Sequence, residues 1–173
     1  MIYRIEDKIP RIAGNVFIAP SANVIGNVTI DEFSSVWFNC TIRGDGNYIQ
    51  IGKYCNIQDN SVIHIATDKY PTIIHDSVTI GHNCVIHACT LEEFSFIGIS
   101  ATILDNAHVN KYALVAAGAL VPPGFEVPSY TLVAGVPAKV IRELKESEIK
   151  MIENTPLNYA HNAAIYRNSL KST

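Results

Sequence analysis

The sequence lacks the features that mark several special classes of protein. No apolar run approaches the roughly 20 residues that a membrane-spanning helix needs. The formal net charge is −3, so the basic surface typical of a nucleic-acid-binding protein is missing. The N-terminal stretch MIYRIEDKIP has no apolar segment of the kind found in secretory signal peptides. These absences predict a cytoplasmic protein that binds neither membrane nor nucleic acid.

Cysteine is also scarce, with four residues in a chain of 173. That number does not indicate the dense disulfide framework of a small secreted domain, so reduced thiols are expected. Hydrophobic residues, by contrast, make up 48% of the chain, which is enough for one domain with a sizeable core.

Large aliphatic residues recur every six positions through most of the chain. The first series is Ile12, Ile18, Val24, Ile30, Val36 and Ile42; further series begin at Ile51, Ile74 and Leu91, and the last ends at Val121. A small residue such as Ala22, Cys40 or Ala101 follows most of them four positions later. A period of six fits neither a 3.6-residue helix nor a simple two-residue alternation. It predicts a parallel β-helix with three six-residue faces per coil, and the eighteen aliphatic positions predict about six coils.

The period is interrupted twice. Ile42 and Ile51 are nine residues apart, around RGDGNY, and Ile63 and Ile74 are eleven apart, around HIATDKYPT. We expect both insertions to be loops that bulge from a coil, where function is often located on a rigid scaffold.

The repeat ends near VPAKVIREL, and a helical pattern follows Arg142. Thr155 followed by Pro156 is typical of a helix start, with the threonine as cap and the proline in the first turn. One face of this helix carries four side chains: Tyr159, Ala163, Tyr166 and Leu170. We therefore predict a β-helix domain at 1–141 and a helical segment at 142–173 that packs along it.

Three of the six histidines occupy related positions in the repeat. His64 and His87 each directly follow an inward aliphatic residue and should therefore point outward. One full coil separates them, so their imidazoles should stack on one side of the prism, about 4.8 Å apart. Two imidazoles at that spacing can converge on one ion, with Zn–N distances of about 2.0–2.1 Å.

His82 lies two residues after Ile80, on the preceding face and near a different edge. Within one chain it should not reach an ion held by His64 and His87. If His82 is a ligand, the site is shared with another subunit, and a three-fold partner would bring that edge across. The pattern thus predicts a metal and a trimer, with ordinary surface histidines as the alternative.

Two segments, IRGDGNYIQIGKYCNIQDNSVIH and IGHNCVIHACT, resemble the gamma-class carbonic anhydrases and their close relatives. The specific elements are R-G-D, Q-D-N-x-x-x-H and G-H-x-x-x-x-H, and LVAGVPAKVIREL is the usual end of a hexapeptide-repeat solenoid. The resemblance covers nearly the whole chain. It implies a left-handed parallel β-helix, an exception to the usual right-handed crossover, and a homotrimer with active sites at the subunit interfaces.

The resemblance also implies a ligand set. His64, His82 and His87 match the metal ligands, with His82 supplied by the neighbouring subunit. Zn²⁺ is the implied metal, although Fe²⁺ or Co²⁺ suits the same ligands. The implied reaction is the reversible hydration of CO₂ to bicarbonate by a metal-bound hydroxide.

Further residues match the family's site. Arg43 and Asp45 match an interface arginine and its acidic partner. Gln58, followed by Asp59, matches the glutamine beside the metal-bound water, which an amide can orient without titrating. A C-terminal aromatic residue and a neighbouring amide complete the set: Tyr159 and Asn162.

The chain departs from the best-studied members of that family at two positions. Gly46 stands where they carry a glutamate, and the loop IATDKYPT offers only Asp68 where they carry a proton-shuttling glutamate. Because a proton must leave in each turnover, the loss of the shuttle is expected to slow the reaction. Two alternatives stay open, namely a hexapeptide-repeat acyltransferase or CoA thioesterase, and a structural trimer that the metal only holds together.

Overall fold

The computed structural model describes residues 1–171, and they form a parallel β-helix with three faces followed by one α-helix. The first face holds β1 (Ile2–Tyr3), the first halves of β4 (Asn23–Ile30) and β6 (Thr41–Ile51), β8 (Val62–His64), β11 (Val85–His87), β14 (Thr102–Ile103) and β17 (Leu120–Val121). The second holds β2 (Arg11–Ile12), the second halves of β4 and β6, β9 (Thr72–Ile74), β12 (Thr90–Leu91), β15 (His108–Val109) and β18 (Glu126–Val127). The third holds β3 (Phe17–Ile18), β5 (Ser35–Val36), β7 (Asn56–Ile57), β10 (Thr79–Ile80), β13 (Phe96–Ile97), β16 (Leu114–Val115) and β19 (Thr131–Ala134), which β20 (Lys139–Glu143) joins antiparallel.

This architecture confirms the predicted fold class, a left-handed parallel β-helix of hexapeptide repeats with a C-terminal helix. The number of coils differs from the prediction, because the structure has about seven rather than six. The aliphatic series did not include β1 at the start or β18 and β19 at the end, and these strands add the extra coil.

The predicted inward positions form the core. Val24, Val36, Ile42 and Ile51 are each fully buried, as are the aliphatic residues of the later coils. All four cysteines are free and buried. Burial raises the pKa of Cys40 to about 11 and that of Cys55 to about 12, so these thiols are inert packing residues.

The two insertions differ in structure. The second is a loop between β8 and β9, closed by an antiparallel bridge between Ala66 and Tyr70, as predicted. The first also bulges from its coil, but as an irregularity inside the strand β6, which contains RGDGNY, rather than as a separate loop. Its extra residues are absorbed by a register shift against β4, between Gly26 and Val28. Arg43 and Gly44 pair with Ile25 and Gly26 of β4, whereas residues 45–48 bulge out between the two paired segments and have no ladder partner within residues 1–171.

The helix α1 (Glu146–Ser169) begins nine residues before the predicted start at Thr155. Glu148 explains this start, since it accepts the Lys145 backbone N–H and pairs with Arg142 of β20 through two contacts of 2.8 Å. The Arg142 guanidinium lowers the pKa of Glu148 to about 2. Thr155 is not a cap; its hydroxyl donates to the Met151 carbonyl inside the helix. Pro156 is buried within the helix rather than in its first turn.

One face of α1 packs on the third face of the solenoid, against β3, β5, β7 and β10. The buried helix residues are Ile152, Pro156 and Ala163. The predicted boundary between residues 141 and 142 falls inside β20, and residues 172 and 173 of the predicted helical segment lie outside the described range. Nowhere in residues 1–171 does a helix combine the length and apolarity that a membrane crossing requires.

Gly98 marks a place where two coils approach closely. A Cβ built at this position would lie 2.6 Å from the Ala117 backbone nitrogen and 2.7 Å from the Val115 carbonyl oxygen. Gly98→Ala is therefore expected to destabilise the protein by about 1–3 kcal/mol, because the next coil has to move. The measurement is thermal unfolding at fixed protein concentration. Gly14→Ala is the matched control, since nothing lies within 4 Å of a Cβ there, and an equal loss in both variants would contradict the prediction.

Candidate metal centre

His64 and His87 lie side by side on the first face. β8 and β11 pair in register, with His87 directly opposite His64, as the coil count predicts. His64 Nδ1 lies 3.3 Å from His87 Nε2, and the ring centroids are 5.3 Å apart. The fold thus brings two imidazole nitrogens into contact from residues 23 positions apart in the chain.

Each of these imidazoles contacts a carboxylate through its other nitrogen. His64 Nε2 lies 3.0 Å from Asp45 Oδ1, and His87 Nδ1 lies 2.6 Å from Asp105 Oδ1. An ionised carboxylate can only accept, so these two nitrogens are the donors when each ring carries a single proton. The nitrogens that face one another then both present lone pairs, an arrangement that favours a cation between them.

The separation of the facing nitrogens fits a tetrahedral zinc ion. Zn–N bonds of about 2.0–2.1 Å at a tetrahedral angle place two ligand nitrogens about 3.3–3.4 Å apart. The observed distance from His64 Nδ1 to His87 Nε2 is 3.3 Å. These residues therefore fit the group that the sequence implies, and they would supply two ligands to it.

His82 lies apart from this pair. It follows β10 at the corner between the third and first faces, and its Nδ1 contacts Asp59 Oδ2 at 3.0 Å. Its side chain is 44% exposed, which leaves Nε2 for a partner outside the contact with Asp59. Within residues 1–171 of one chain, no three histidine, cysteine, aspartate or glutamate side chains form a metal-binding group.

Arg43 and Asp45 form an ion pair within the chain, on the same face as His64. Burial by itself would raise the pKa of Asp45, but the hydrogen bond from His64 and the positive charge of Arg43 outweigh it and lower the pKa. Arg43 thus stabilises the charged carboxylate that orients His64. Both side chains stay partly exposed, at 43% and 31%, so they are available to a neighbouring subunit.

Gln58 directly follows β7 and precedes Asp59. It is buried, and its amide donates to Asn56 Oδ1 at 2.9 Å, while Asn56 donates in turn to Thr79 Oγ1. This chain of hydrogen bonds holds the amide in one orientation. The sequence analysis missed Asn56. It directly precedes the inward Ile57 in β7, on the third face.

The C-terminal residues of the predicted site have different surroundings. Tyr159 packs edge-on against Trp37, with ring centroids 5.5 Å apart. Burial and the negative charge of Asp59 raise the pKa of Tyr159, so the phenol lies near the carboxylate that contacts His82. Asn162 is exposed, and within residues 1–171 no side-chain hydrogen bond links it to these residues.

The predicted residues thus form two groups. One group contains His64 and His87 with their carboxylates and Arg43; the other contains His82 with Asp59, Gln58 and Tyr159. The sequence analysis missed Asp105. It follows the inward Ile103 by two positions, one coil beyond His87, and this spacing was the available signal.

Gly46 lies against the second insertion. A Cβ at this position would lie 2.3 Å from Thr67 Oγ1 and 2.8 Å from Thr67 Cβ. A glutamate at position 46 would therefore require the Thr67 side chain to move. The absence of a side chain at Gly46 thus leaves the space that Thr67 occupies in this loop conformation.

Asp105→Asn is expected to weaken zinc binding about 10–100-fold, because the neutral amide replaces the charged carboxylate that accepts the hydrogen bond from His87 Nδ1. The measurement is competition for Zn²⁺ with a chromophoric chelator. Asp68→Asn is the control, since Asp68 makes no side-chain contact with a histidine within residues 1–171. Equal affinity in the Asp105 variant and the parent would remove the carboxylate from the metal centre.

The chain is similar to known proteins over nearly its whole length, including all the residues of this candidate site. A family model described as Dynactin subunit 5 matches residues 1–165. Gamma carbonic anhydrase 2, mitochondrial, of Arabidopsis thaliana is 44% identical over 170 residues, which are 95% of this chain and 61% of the relative. The chain therefore spans about three fifths of that relative's length.

Two further proteins match over nearly their full length. A probable carbonic anhydrase of Methanocaldococcus jannaschii is 49% identical over 148 residues, which are 86% of this chain and 92% of the relative. A solved structure described as a putative acetyltransferase from Bacillus cereus has a TM-score of 0.94 and 39% identity, and the match covers 96% of both chains.

Proposed function

This chain belongs to the gamma carbonic anhydrase family and to the family whose model is described as Dynactin subunit 5, and on that premise we propose that it is a zinc-dependent carbonic anhydrase. The proposed reaction is the reversible hydration of CO₂ to bicarbonate. The observation that carries the proposal is the pair of facing imidazole nitrogens, 3.3 Å apart, each backed by a carboxylate on the opposite side of its ring.

We propose that the active protein is a homotrimer in which two incomplete groups complete one another. His64 and His87 from one subunit would be joined by His82 from the next, and Gln58 and Tyr159 would arrive with His82. This arrangement is supported by the separation of the two groups within one chain and by the absence of a three-residue metal group in residues 1–171. Closed three-fold symmetry would then give three equivalent sites.

A Zn²⁺ ion held at this site would lower the pKa of a water molecule far below its value in bulk solvent, to about 7, and would thereby supply a nucleophile for CO₂ at neutral pH. The three histidines would hold the metal, and their carboxylate partners fix the ring orientations. The Gln58 amide is already oriented by Asn56, and it can direct a hydrogen bond at the reacting oxygen without changing its charge. Arg43 holds Asp45 in its charged form, so the orientation of His64 persists through the reaction.

Few side chains near His64 can accept the proton that must leave in each turnover. The loop after His64 carries one carboxylate, Asp68, and Gly46 supplies none. External buffer is therefore expected to accept the proton, so the hydration rate should rise with buffer concentration.

The test of the proposed function pairs metal analysis with stopped-flow CO₂ hydration, on protein purified with and without oxygen. The expected result is one metal per chain and a hydration rate that disappears on chelation and returns with Zn²⁺, or with Fe²⁺ or Co²⁺ if one of these is native. His64→Ala should lose both metal and rate. Full metal occupancy with no CO₂ turnover would contradict the proposed activity and support the structural trimer.

An acyltransferase is the second candidate, because the Bacillus cereus neighbour is described as a putative acetyltransferase. Acyl transfer requires a bound thioester and a general base near it. CoA-thioester turnover by the metal-free protein, with no CO₂ hydration by the metal-loaded one, would favour this candidate. The cytoplasmic location stays a prediction from the sequence.

A further inference from the structure

Aromatic side chains stack along the corner between the second and third faces of the solenoid. We call this row the aromatic ladder; its positions in successive coils are Phe33, Tyr54, Ser77, Phe94, Tyr112 and Tyr130. All six adopt the left-handed backbone conformation, with φ between 55° and 61°. The rings stack nearly parallel, at centroid distances of 4.8 Å for Phe33 and Tyr54, and 5.0 Å for both Phe94–Tyr112 and Tyr112–Tyr130.

Ser77 interrupts the ladder. It occupies the same corner position as the aromatic residues and has the same backbone conformation, but it supplies no ring. Tyr54 and Phe94 are therefore two coils apart, which is about 9.6 Å at the usual strand spacing. A planar ring midway between them would lie about 4.8 Å from each, the spacing that the native stacks already have.

The missing ring leaves an open cleft. A cavity of about 390 Å³ is lined by Tyr54, Ser77 and Phe94 from the ladder and by Glu153, Pro156 and Leu157 from α1. Leu157 is 58% exposed although it is apolar, and it covers one side of the cleft. The cavity thus has room for a flat ring and an apolar wall on the helix side.

The charges around the cleft are mainly negative. Glu153 is exposed and accepts a hydrogen bond from the Tyr112 hydroxyl at 3.1 Å, and no lysine or arginine within residues 1–171 pairs with it. The residue before five of the six ladder positions is charged, which adds Glu32, Lys53, Asp76, Glu93 and Lys111. Together these four carboxylates and two ammonium groups leave a net charge of minus two, which favours a positively charged occupant.

We propose that the gap in the aromatic ladder above Ser77 is a binding site for a small planar aromatic cation. The ring of the ligand would replace the missing ring between Tyr54 and Phe94, and its cationic group would face Glu153. Cation–π attraction to the two flanking rings and charge attraction to the carboxylate would act together.

This site is separate from the metal centre. The ladder occupies the corner between the second and third faces, which lies opposite the first face of the three-sided prism. His64 and His87 lie on the first face, and His82 lies at the corner between the third and first faces. Binding at the ladder is therefore expected to be the same in metal-free and metal-loaded protein, and it does not depend on the proposed function.

The test uses 4-fluorobenzamidinium as the probe. Its binding to the full chain is measured by titration, with the ¹⁹F NMR signal of the probe as the readout. A Kd of about 1 mM is expected for a ligand of this size. The neutral 4-fluorobenzamide should bind about 3-fold more weakly or worse, because it lacks the charge. Cyclohexanecarboxamidinium, which is charged but not flat, should fail to displace the probe; displacement by it at equal concentration would contradict stacking.

Variants locate the site. Ser77→Phe completes the ladder and should weaken the probe more than 10-fold, while Ser77→Ala keeps the gap and should bind as the parent does. The phenylalanine is compatible with the backbone, since Phe33 and Phe94 have the same conformation. Tyr54→Leu should also weaken binding, and Glu153→Gln should do so about 3-fold. Unchanged affinity in both Ser77→Phe and Tyr54→Leu would overturn the proposal.

Discussion

Refolding an equal mixture of His64→Ala and His82→Ala chains is expected to restore about one quarter of the parental zinc sites, although neither variant forms a complete site alone. His64 and His87 contact one another within a chain, whereas His82 contacts Asp59 at another corner. In a mixed trimer, the His82→Ala chain keeps both His64 and His87. The adjacent His64→Ala chain still supplies His82.

The expected fraction follows from closed three-fold symmetry. About three quarters of the trimers contain both variants after random assembly, and each mixed trimer has one interface of the correct orientation out of three. The yield is therefore about one quarter of the sites. Bound zinc after gel filtration measures it, and any CO₂ hydration should return in the same proportion.

A second mixture provides the control. His64→Ala and His87→Ala both damage the pair on the first face, so mixing them should restore no complete site. Rescue in this control mixture, or no rescue in the first, would show that the three histidines do not divide between subunits as proposed.

Trp37→Ala is expected to destabilise the protein by about 3–5 kcal/mol, because this side chain joins the helix to the solenoid. Trp37 is buried, and its ring lies 5.2 Å from Phe17, 5.5 Å from Tyr159 and 5.0 Å from Tyr166 between centroids. Its indole also donates to Ser35 Oγ at 3.0 Å. Truncation leaves a cavity under α1 and an unpaired hydroxyl.

Urea unfolding at a fixed protein concentration measures this loss, since the stability of an oligomer depends on concentration. Trp37→Phe should lose much less, because a ring still fills the space. Phe33→Ala removes an exposed aromatic residue and controls for a general effect of losing a ring. A loss in Trp37→Ala no larger than in Phe33→Ala would show that Trp37 does not hold the helix.

The hexapeptide period predicts much of this molecule because position in the repeat fixes side-chain direction. An aliphatic residue at the inward position is buried in every central coil, and the next residue points outward. The stacking of His64 on His87 follows from this rule together with a count of faces. The same count places His82 on a different face, which predicts that any site containing all three histidines is shared between subunits, and the resemblance to a family implies the same division.

The tertiary structure decided features that depend on contact between coils or between the solenoid and the helix. RGDGNY became a bulge inside β6 because β4 pairs with the residues on both sides of it, and α1 began at Glu146 because Arg142 of β20 pairs with Glu148. Asp105 reached His87, and Asp59 reached His82, across one coil each.

The sequence by itself thus determined the repeat, the buried core and the side of the prism on which each histidine lies. Only the tertiary structure determined which carboxylate orients each imidazole and where the aromatic ladder is open. Asp105 follows His87 by one regular coil, but the insertion after His64 separates Asp59 from His82, so constant spacing does not reveal that second pair. Coil stacking does, because it brings residues from successive coils within about 5 Å of one another.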